Sequence, residues 1–379
     1  MKLTTAGESH GKALVAIIEG LPAHLKIDEE KINRDLALRQ SGFGRGGRQK
    51  IERDRVEILT GVRNGETLGS PVTLCIYNKD FENWSSAMSA GACDESVLKA
   101  KSLTKVRPGH ADLTGMIKFS QTDARNVLER ASARETAIRV AAGGVYKQYL
   151  SAFGVEIGGY VKEVCGVKDG GRYAFDELAK AKTTGVGMID EESERKAEEK
   201  IAALKKEGNT AGGVVEIRVK GVKSGFGSVM VYKDKLDGRL AGALMSVQAV
   251  KGVEIGEGFA VGALSGKDVH DEIFFDEEKG YYRKTNRAGG LEGGMTNGEE
   301  LVIRVAMKPI PTLMRGLKTV DFLTKDEAVA ASERSDVCAI FALQIIAEAV
   351  VAEVLANAFS ERLGGDTIAE AIERYVRLP

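Results

Sequence analysis

Glycine fills 45 of the 379 positions and proline only 6, and this imbalance constrains the fold more than any other feature of the chain. Glycines that accumulate without proline or serine are not linkers. They mark tight turns and places where backbone comes close to a ligand. Two tracts stand out: the glycine-arginine loop 41–48, containing Gly42-Phe43-Gly44-Arg45-Gly46-Gly47, and Gly289-Gly290-Leu291-Glu292-Gly293-Gly294-Met295-Thr296-Asn297-Gly298. A hydrophobic fraction of 43% is enough for a sizeable core, and 29% charged residues argue against a disordered or fibrous chain. Fifty-four Lys+Arg against 55 Asp+Glu leave a net charge of −1. A generally basic nucleic-acid binder is thereby excluded, and any charge-driven binding has to be local.

Cys75, Cys93, Cys165 and Cys338 form no C-x-x-C pair, so neither a zinc site nor a disulfide framework is expected. Met1–Thr5 shows no apolar targeting stretch, and the most apolar segment, 338–356, is interrupted by Gln344, Glu348 and Glu353. A cytoplasmic protein that does not engage a membrane is the expectation.

The pattern predicts a strand over 13–18, a helix from an Asp28 N-cap to about Arg39, and strands near 56–62 and 71–77 around the turn Arg63-Asn64-Gly65. Residues 79–122 read as irregular. One long helix is expected from about 123 to 150, with Arg130 and Arg134 on one face. Further strands are expected near 155–164, 214–220, 229–233 and 301–307. Helices are expected at 190–207, 235–246 and from near Ser335. Val56-Glu57-Ile58 and Asn64-Gly65-Glu66 before a strand resemble Val253-Glu254-Ile255 and Asn297-Gly298-Glu299 before another. This is either an internal duplication or chance likeness of turn-plus-strand segments. No low-complexity linker divides the chain, so residues 1–379 are expected to form a single domain.

Three motifs fail on context. Gly7-Glu8-Ser9-His10-Gly11 matches the nucleophile elbow, which needs a strand before it and a helix after it. Only six residues precede this copy, and a β-branched apolar run follows. Gly42–Gly47 matches the dinucleotide fingerprint but follows a predicted helix rather than a strand. Its Arg45-Gly46-Gly47 resembles an RGG element, in a single copy outside low-complexity sequence.

The residues that carry chemistry are imidazoles and guanidiniums in glycine-rich turns. His10 and His110 lie in polar turns and are candidate acids; His24 and His270 read as structural. Arg39, Arg45 and Arg48 bracket the first glycine loop, Arg107 precedes His110, Arg130 and Arg134 lie four apart, and Arg334 precedes Ser335-Asp336. The planar guanidinium bonds two oxygens of a phosphate or carboxylate at once. The residues alone therefore indicate an enzyme or binder for a small polyanion, with imidazole acids and room for a phosphorylated cofactor. An RNA-binding use of 39–55 and an ordinary flavin oxidoreductase remain as alternatives.

Seven spaced segments resemble the chorismate synthase family from end to end. They are Gly7–Gly11, Arg107-Pro108-Gly109-His110-Ala111-Asp112, Arg130-Ala131-Ser132-Ala133-Arg134-Glu135-Thr136, Gln248-Ala249-Val250-Lys251-Gly252, the 289–298 tract, Lys308-Pro309-Ile310-Pro311-Thr312, and Arg334-Ser335-Asp336. The resemblance implies an α+β fold, a β-α-β sandwich of two antiparallel sheets enclosing central helices with internal pseudo-symmetry, assembled as a homotetramer. It implies a lyase that converts 5-enolpyruvylshikimate 3-phosphate to chorismate by anti-1,4-elimination, dependent on reduced FMN without net redox change. Within that resemblance His10 would protonate the departing phosphate, His110 would stabilise the reduced flavin, and Asp336 would act near flavin N5. Ser9, Arg39, Arg48, Arg107 and Arg134 would bind substrate. Arg130, Ala131, Ser132, Gln248, Ala249, Gly293, Lys308, Pro309, Ile310, Pro311, Thr312 and Arg334 would line the FMN. Arg39 and Arg45 are also associated with reduced dinucleotide (NADPH), an indirect reductant acting through an external flavin reductase. No metal and no nucleic acid are implied.

Overall fold

The computed structural model describes residues 1–46, 53–278, 280–330 and 336–379. Four antiparallel strands, Lys2–Ala6 (β1), Ala13–Glu19 (β2), Glu57–Thr60 (β3) and Val72–Tyr77 (β4), form one sheet in the order β1-β2-β4-β3. Glu156–Val164 (β5), Gly213–Lys220 (β6), Val250–Ile255 (β7) and Leu301–Met307 (β8) form a second, in the order β7-β8-β6-β5, extended beyond β5 by Val167–Lys168. Each sheet buries one face. In β8, Leu301, Ile303, Val305 and Met307 are buried and alternate with more exposed residues; in β2, Leu14, Ala16 and Ile18 do the same. This two-residue period is what an antiparallel sheet packed on one side requires.

Between the sheets lie the helices Glu29–Gln40 (α1), Thr136–Ser151 (α2), Leu236–Met245 (α3) and Ile340–Leu363 (α4). α2 packs on the first sheet, α4 on the second, and the two helices pack on each other. The two sheets and these helices contribute to one continuous apolar cluster. The chain order is strand, strand, helix, strand, strand, helix, written twice: α1 falls between β2 and β3 as α3 falls between β6 and β7, and α2 follows β4 as α4 follows β8. The sheet orders correspond strand for strand. The likeness of Val56–Ile58 to Val253–Ile255 thus reflects pseudo-symmetry, because β3 and β7 are equivalent edge strands.

α4 is long and apolar enough to cross a membrane, yet 89% of its most apolar stretch is buried inside the fold. It is a core helix, apolar on nearly every side. Its buried Glu348 is held by Lys147 of α2 at 2.9 Å and by Lys182 at 2.8 Å, and Lys147 also reaches Asp35 of α1 at 2.8 Å. Burial alone would raise the Glu348 carboxyl; the two ammonium groups hold it below the ordinary range. α1 begins at the expected cap, where Asp28 Oδ1 accepts from Glu30 N–H at 3.0 Å.

Several expectations are corrected. The long helix 123–150 is broken at Ser132: Arg125–Ala131 ends there, Ala133–Glu135 forms a tight turn, and α2 starts at Thr136. Ser132 is extended and its hydroxyl accepts from Arg134 N–H, the local bond by which serine competes with a helix. Arg130 and Arg134 therefore do not share a helix face. Residues 229–233 bend into a one-turn 3-10 helix at Tyr232–Asp234, because this β-branched run finds no partner strand in either sheet. Lys2–Ala6 and Val250–Ile255 are strands that the pattern left unassigned. The irregular 79–122 region holds helices at Glu95–Lys101 and Asp112–Lys118.

Candidate active site

α2 and α4, the equivalent last helices of the two halves, both begin at one cavity of about 400 Å³. Ala133 and Thr136 contribute from the start of α2, and Ala339, Ala342, Leu343 and Ile346 from the start of α4. Helix N-termini present unpaired N–H groups and a positive dipole end, so both favour a bound anion. The remaining wall comes from Arg107, Gly109, His110 and Ala111, from Ala131 and Ser132, from Val247, Gln248 and Ala249, and from Met307, Lys308, Ile310, Pro311 and Thr312, together with Arg39, Arg45, Arg134 and Asp336.

Arg39, at the end of α1, and Arg134 meet over buried Asp54. Arg134 Nη1 donates to Asp54 Oδ2 at 2.6 Å, and its Nε and Nη2 donate to Asn78 Oδ1 at 3.0 and 2.8 Å. Arg39 Nη1 stands 3.6 Å from the same carboxylate oxygen, while its Nε donates to Thr136 Oγ1 and its Nη2 to Ala133 O, both at 3.0 Å. One carboxylate thus serves two guanidiniums. Burial pushes the Arg39 guanidinium down to about 9; Asp54 opposes that fall, and Arg134 and Arg45 add to it. Arg39 remains charged at neutral pH and would gain from an added anion.

Arg107 and His110 are held by Asp112, whose side chain has no exposed surface. Arg107 Nε donates to Asp112 Oδ2 at 2.8 Å and Nη2 to Oδ1 at 3.0 Å, a two-pronged pair. His110 Nδ1 lies 2.5 Å from Asp112 Oδ1, and Arg107 Nη1 donates to Thr312 Oγ1 at 3.3 Å. Burial alone would raise the Asp112 carboxyl, but the bonds from His110 and Arg107 outweigh it and hold it far below the usual carboxylate range. With Asp112 ionised, His110 Nδ1 is the donor and Nε2 is left for other work.

Asp336 accepts from Gly46 N–H at 2.6 Å and pairs with Arg45 at 3.0 Å. Two buried polar atoms at the cavity, Arg45 Nε and Gln248 Oε1, have no hydrogen-bond partner among the described residues. Ala249 holds φ at +68°, a left-handed conformation uncommon for alanine, and its carbonyl accepts from Lys308 N–H at 3.0 Å. The Lys308 ammonium donates to Gly109 O and so ties the 308–312 turn to the 107–112 turn.

Of the expected site residues, Arg39, Arg45, Arg107, His110, Ala131, Ser132, Arg134, Gln248, Ala249, Lys308, Ile310, Pro311, Thr312 and Asp336 line this cavity. Ser9, His10, Arg130, Gly293 and Pro309 do not. Exposed Arg130 instead donates to Gly7 O and to Thr5 O and Oγ1, and Gly293 lies in the hairpin Leu291–Glu292/Met295–Thr296. Arg48 and Arg334 lie outside the described residues. Sequence reasoning missed the buried acceptors Asp54, Asn78, Asp112 and Glu129. Only Asp112 carried a signal, since it closes the Arg107–Asp112 segment.

The chorismate synthase family model matches residues 1–360. The chain belongs to that family. It is 51% identical over 382 residues to the chorismate synthase of Caldicellulosiruptor bescii, covering 100% of this chain and 99% of that protein. It is 53% identical over 386 residues to the one from Geobacter sulfurreducens, covering 99% and 97%. A crystal structure of a chorismate synthase superposes with a TM-score of 0.79 at 40% identity, covering 99% of this chain and 96% of the other. The fold expected from the resemblance, a pseudo-symmetric α+β sandwich, is the one observed. Membership makes the chain a lyase of the shikimate pathway.

Proposed function

We propose that this lyase removes phosphate and a ring proton from 5-enolpyruvylshikimate 3-phosphate by anti-1,4-elimination, giving chorismate, with reduced FMN required and no net redox change. The observation that carries the reading is the gathering of Arg39, Arg45, Arg107 and Arg134, distant in sequence, with His110 and Asp336 around one cavity. There Arg39, Arg45, Arg107, Arg134 and Lys308 outnumber the carboxylates of Asp54, Asp112 and Asp336. A substrate with one phosphate and two carboxylates needs such a surplus to offset its desolvation.

The residues present also fit a flavin. Val247, Met307, Ala339, Ala342, Leu343 and Ile346 supply apolar wall, and the unpartnered Gln248 Oε1 and Arg45 Nε are polar atoms placed for a ligand. In this reading Ala131, Ser132, Gln248, Ala249, Lys308, Ile310, Pro311 and Thr312 hold the cofactor. Reduced FMN, when bound, lends electron density to the breaking C–O bond and recovers it afterwards. Arg39, Arg107 and Arg134 hold the substrate anions. His110, oriented by Asp112, would present Nε2 to the negative charge of the reduced flavin, and Asp336 would assist the removal of the ring proton. Arg48, Arg130, Gly293, Pro309 and Arg334 keep their expected parts in the same proposal. An external reductase is expected to supply the reduced flavin, with NADPH as its indirect reductant. A homotetramer in the cytoplasm, with residues 1–379 as one domain, completes the reading.

The test is anaerobic phosphate release. Many turnovers per reduced FMN are expected, and none with oxidised FMN. Release with oxidised flavin, or dinucleotide consumed in step with product, would refute the elimination. His10→Ala is expected to slow phosphate departure with FMN affinity intact. His110→Ala is expected to weaken reduced FMN more than oxidised FMN. Equal loss of flavin binding in both variants would undo this division of roles.

A further inference from the structure

His10 is absent from the cavity wall, yet its ring is fixed on several sides. Nδ1 lies 2.8 and 3.0 Å from the two carboxylate oxygens of Glu129, and the His10 backbone N–H donates to Glu129 Oε2 at 2.8 Å. The Ser9 backbone N–H donates to the Glu129 carbonyl at 3.0 Å. The indole of Trp84 stacks on the imidazole with ring centres 4.1 Å apart. Nε2 faces Asp80 Oδ2 at 3.9 Å. Arg125, one turn before Glu129, donates to Oε1 at 3.2 Å, and Arg125 and Lys101 lie over the Trp84 ring at 4.9 and 4.2 Å.

Glu129 is 4% exposed. Burial alone would raise its carboxyl, but the bonds and charge from His10, with Arg125, outweigh burial and keep it below the ordinary glutamate range. An ionised carboxylate only accepts hydrogen bonds. Nδ1 therefore carries a hydrogen and donates it, and the ring proton free to move is the one on Nε2.

We propose that Glu129 is a positioning residue for the elimination: it holds the Nδ1–H of His10, so that the doubly protonated ring acts as the acid from Nε2 alone and returns to the neutral Nδ1–H form. The inference rests on the reading of His10 as the group that protonates the leaving phosphate. In that step the C–O bond breaks and its electron pair departs with the phosphate oxygen. The Nε2 proton moves to the phosphate. The ring is left neutral, still donating from Nδ1 to Glu129, with Nε2 open to reprotonation from water. A carboxylate behind a catalytic imidazole acts in this way wherever one tautomer must be enforced.

The test compares E129Q, E129D, H10A and the E129Q/H10A double variant in anaerobic phosphate release with reduced FMN, alongside FMN affinity and ¹⁵N spectra of the His10 ring. E129Q is expected to lower kcat by about 10²-fold with KM and FMN affinity unchanged, and E129D to restore part of the loss. The double variant is expected to be no slower than H10A, because Glu129 acts only through His10. The ring spectrum should show Nδ1–H in the parent and a tautomer mixture in E129Q. Parental turnover in E129Q, multiplied losses in the double variant, or an unchanged ring spectrum would overturn the proposal. The spectrum needs no turnover, so it judges the Glu129–His10 coupling separately from the elimination. Full phosphate release by H10A would instead remove His10 as the acid, and the proposal with it.

Discussion

Asp112→Ala is expected to lower the folding free energy by about 3–5 kcal/mol and to abolish phosphate release. Asp112 receives both prongs of Arg107 and the Nδ1–H of His110 in a site with no exposed carboxyl surface. Removing it leaves a buried guanidinium without its carboxylate, which costs far more than the loss of a surface ion pair. The same change frees His110 to adopt either tautomer. Asp112→Asn keeps the shape and loses the charge, so its stability loss should be smaller while its loss of activity stays large. Denaturant unfolding monitored beside turnover separates the two variants. The pH dependence has a definite sign. The Asp112 carboxyl is depressed in the folded state, so its contribution is fully present above the unfolded value of ~3.9 and is lost as pH falls toward the folded value. The stability gap between the parent and Asp112→Asn should therefore narrow as the pH drops below about 4. A gap constant across that range would mean that the carboxylate charge is not what holds Arg107.

Much of the fold was legible because local signals and burial agreed. The Asp28 cap, the Asn64-Gly65 turn with φ of 53° and 75°, and the alternation along 301–307 are local features that tertiary packing left in place. The break at Ser132 was not legible, since alanine, arginine and glutamate around it all favour helix. It becomes visible only once Arg134 is seen bonded to Asn78 and Asp54, partners 56 and 80 residues away. The same reason hid most of the buried acceptors. An arginine in a glycine-rich turn advertises an anion site, but the aspartate that holds it looks like any surface acid until its burial is known. The duplication was half legible: the likeness of two short segments was present in sequence, and the strand orders turned it into a correspondence of whole halves. That correspondence has a functional consequence. Equivalent helices α2 and α4 bring both of their N-termini to one cavity, so the cavity proposed to hold the anionic ligand lies where the two halves meet.

Gly143→Val tests that geometry and is expected to destabilise the fold strongly. Gly143 lies where α2 crosses α4. A Cβ there would stand 2.3 Å from Ala349 Cβ and 2.6 Å from Ala349 Cα. The obstacle is helix backbone in a close-packed core, so the helices themselves must separate. A valine adds two methyl groups to that clash, and a loss of about 3 kcal/mol or more is expected, the upper range for overpacking. Gly143→Ala should show a smaller loss in the same direction. Gly242 in α3 has open space around it, so Gly242→Ala serves as the control and should be neutral or slightly stabilising, by up to about 1 kcal/mol. Because α2 and α4 both start at the cavity, any Gly143 variant that still folds should also lose FMN affinity and phosphate release, although the substituted residue touches neither ligand. Gly143→Ala with parental stability and parental turnover would mean that the α2–α4 crossing does not set the site, and the argument from pseudo-symmetry to the anion chamber would fail.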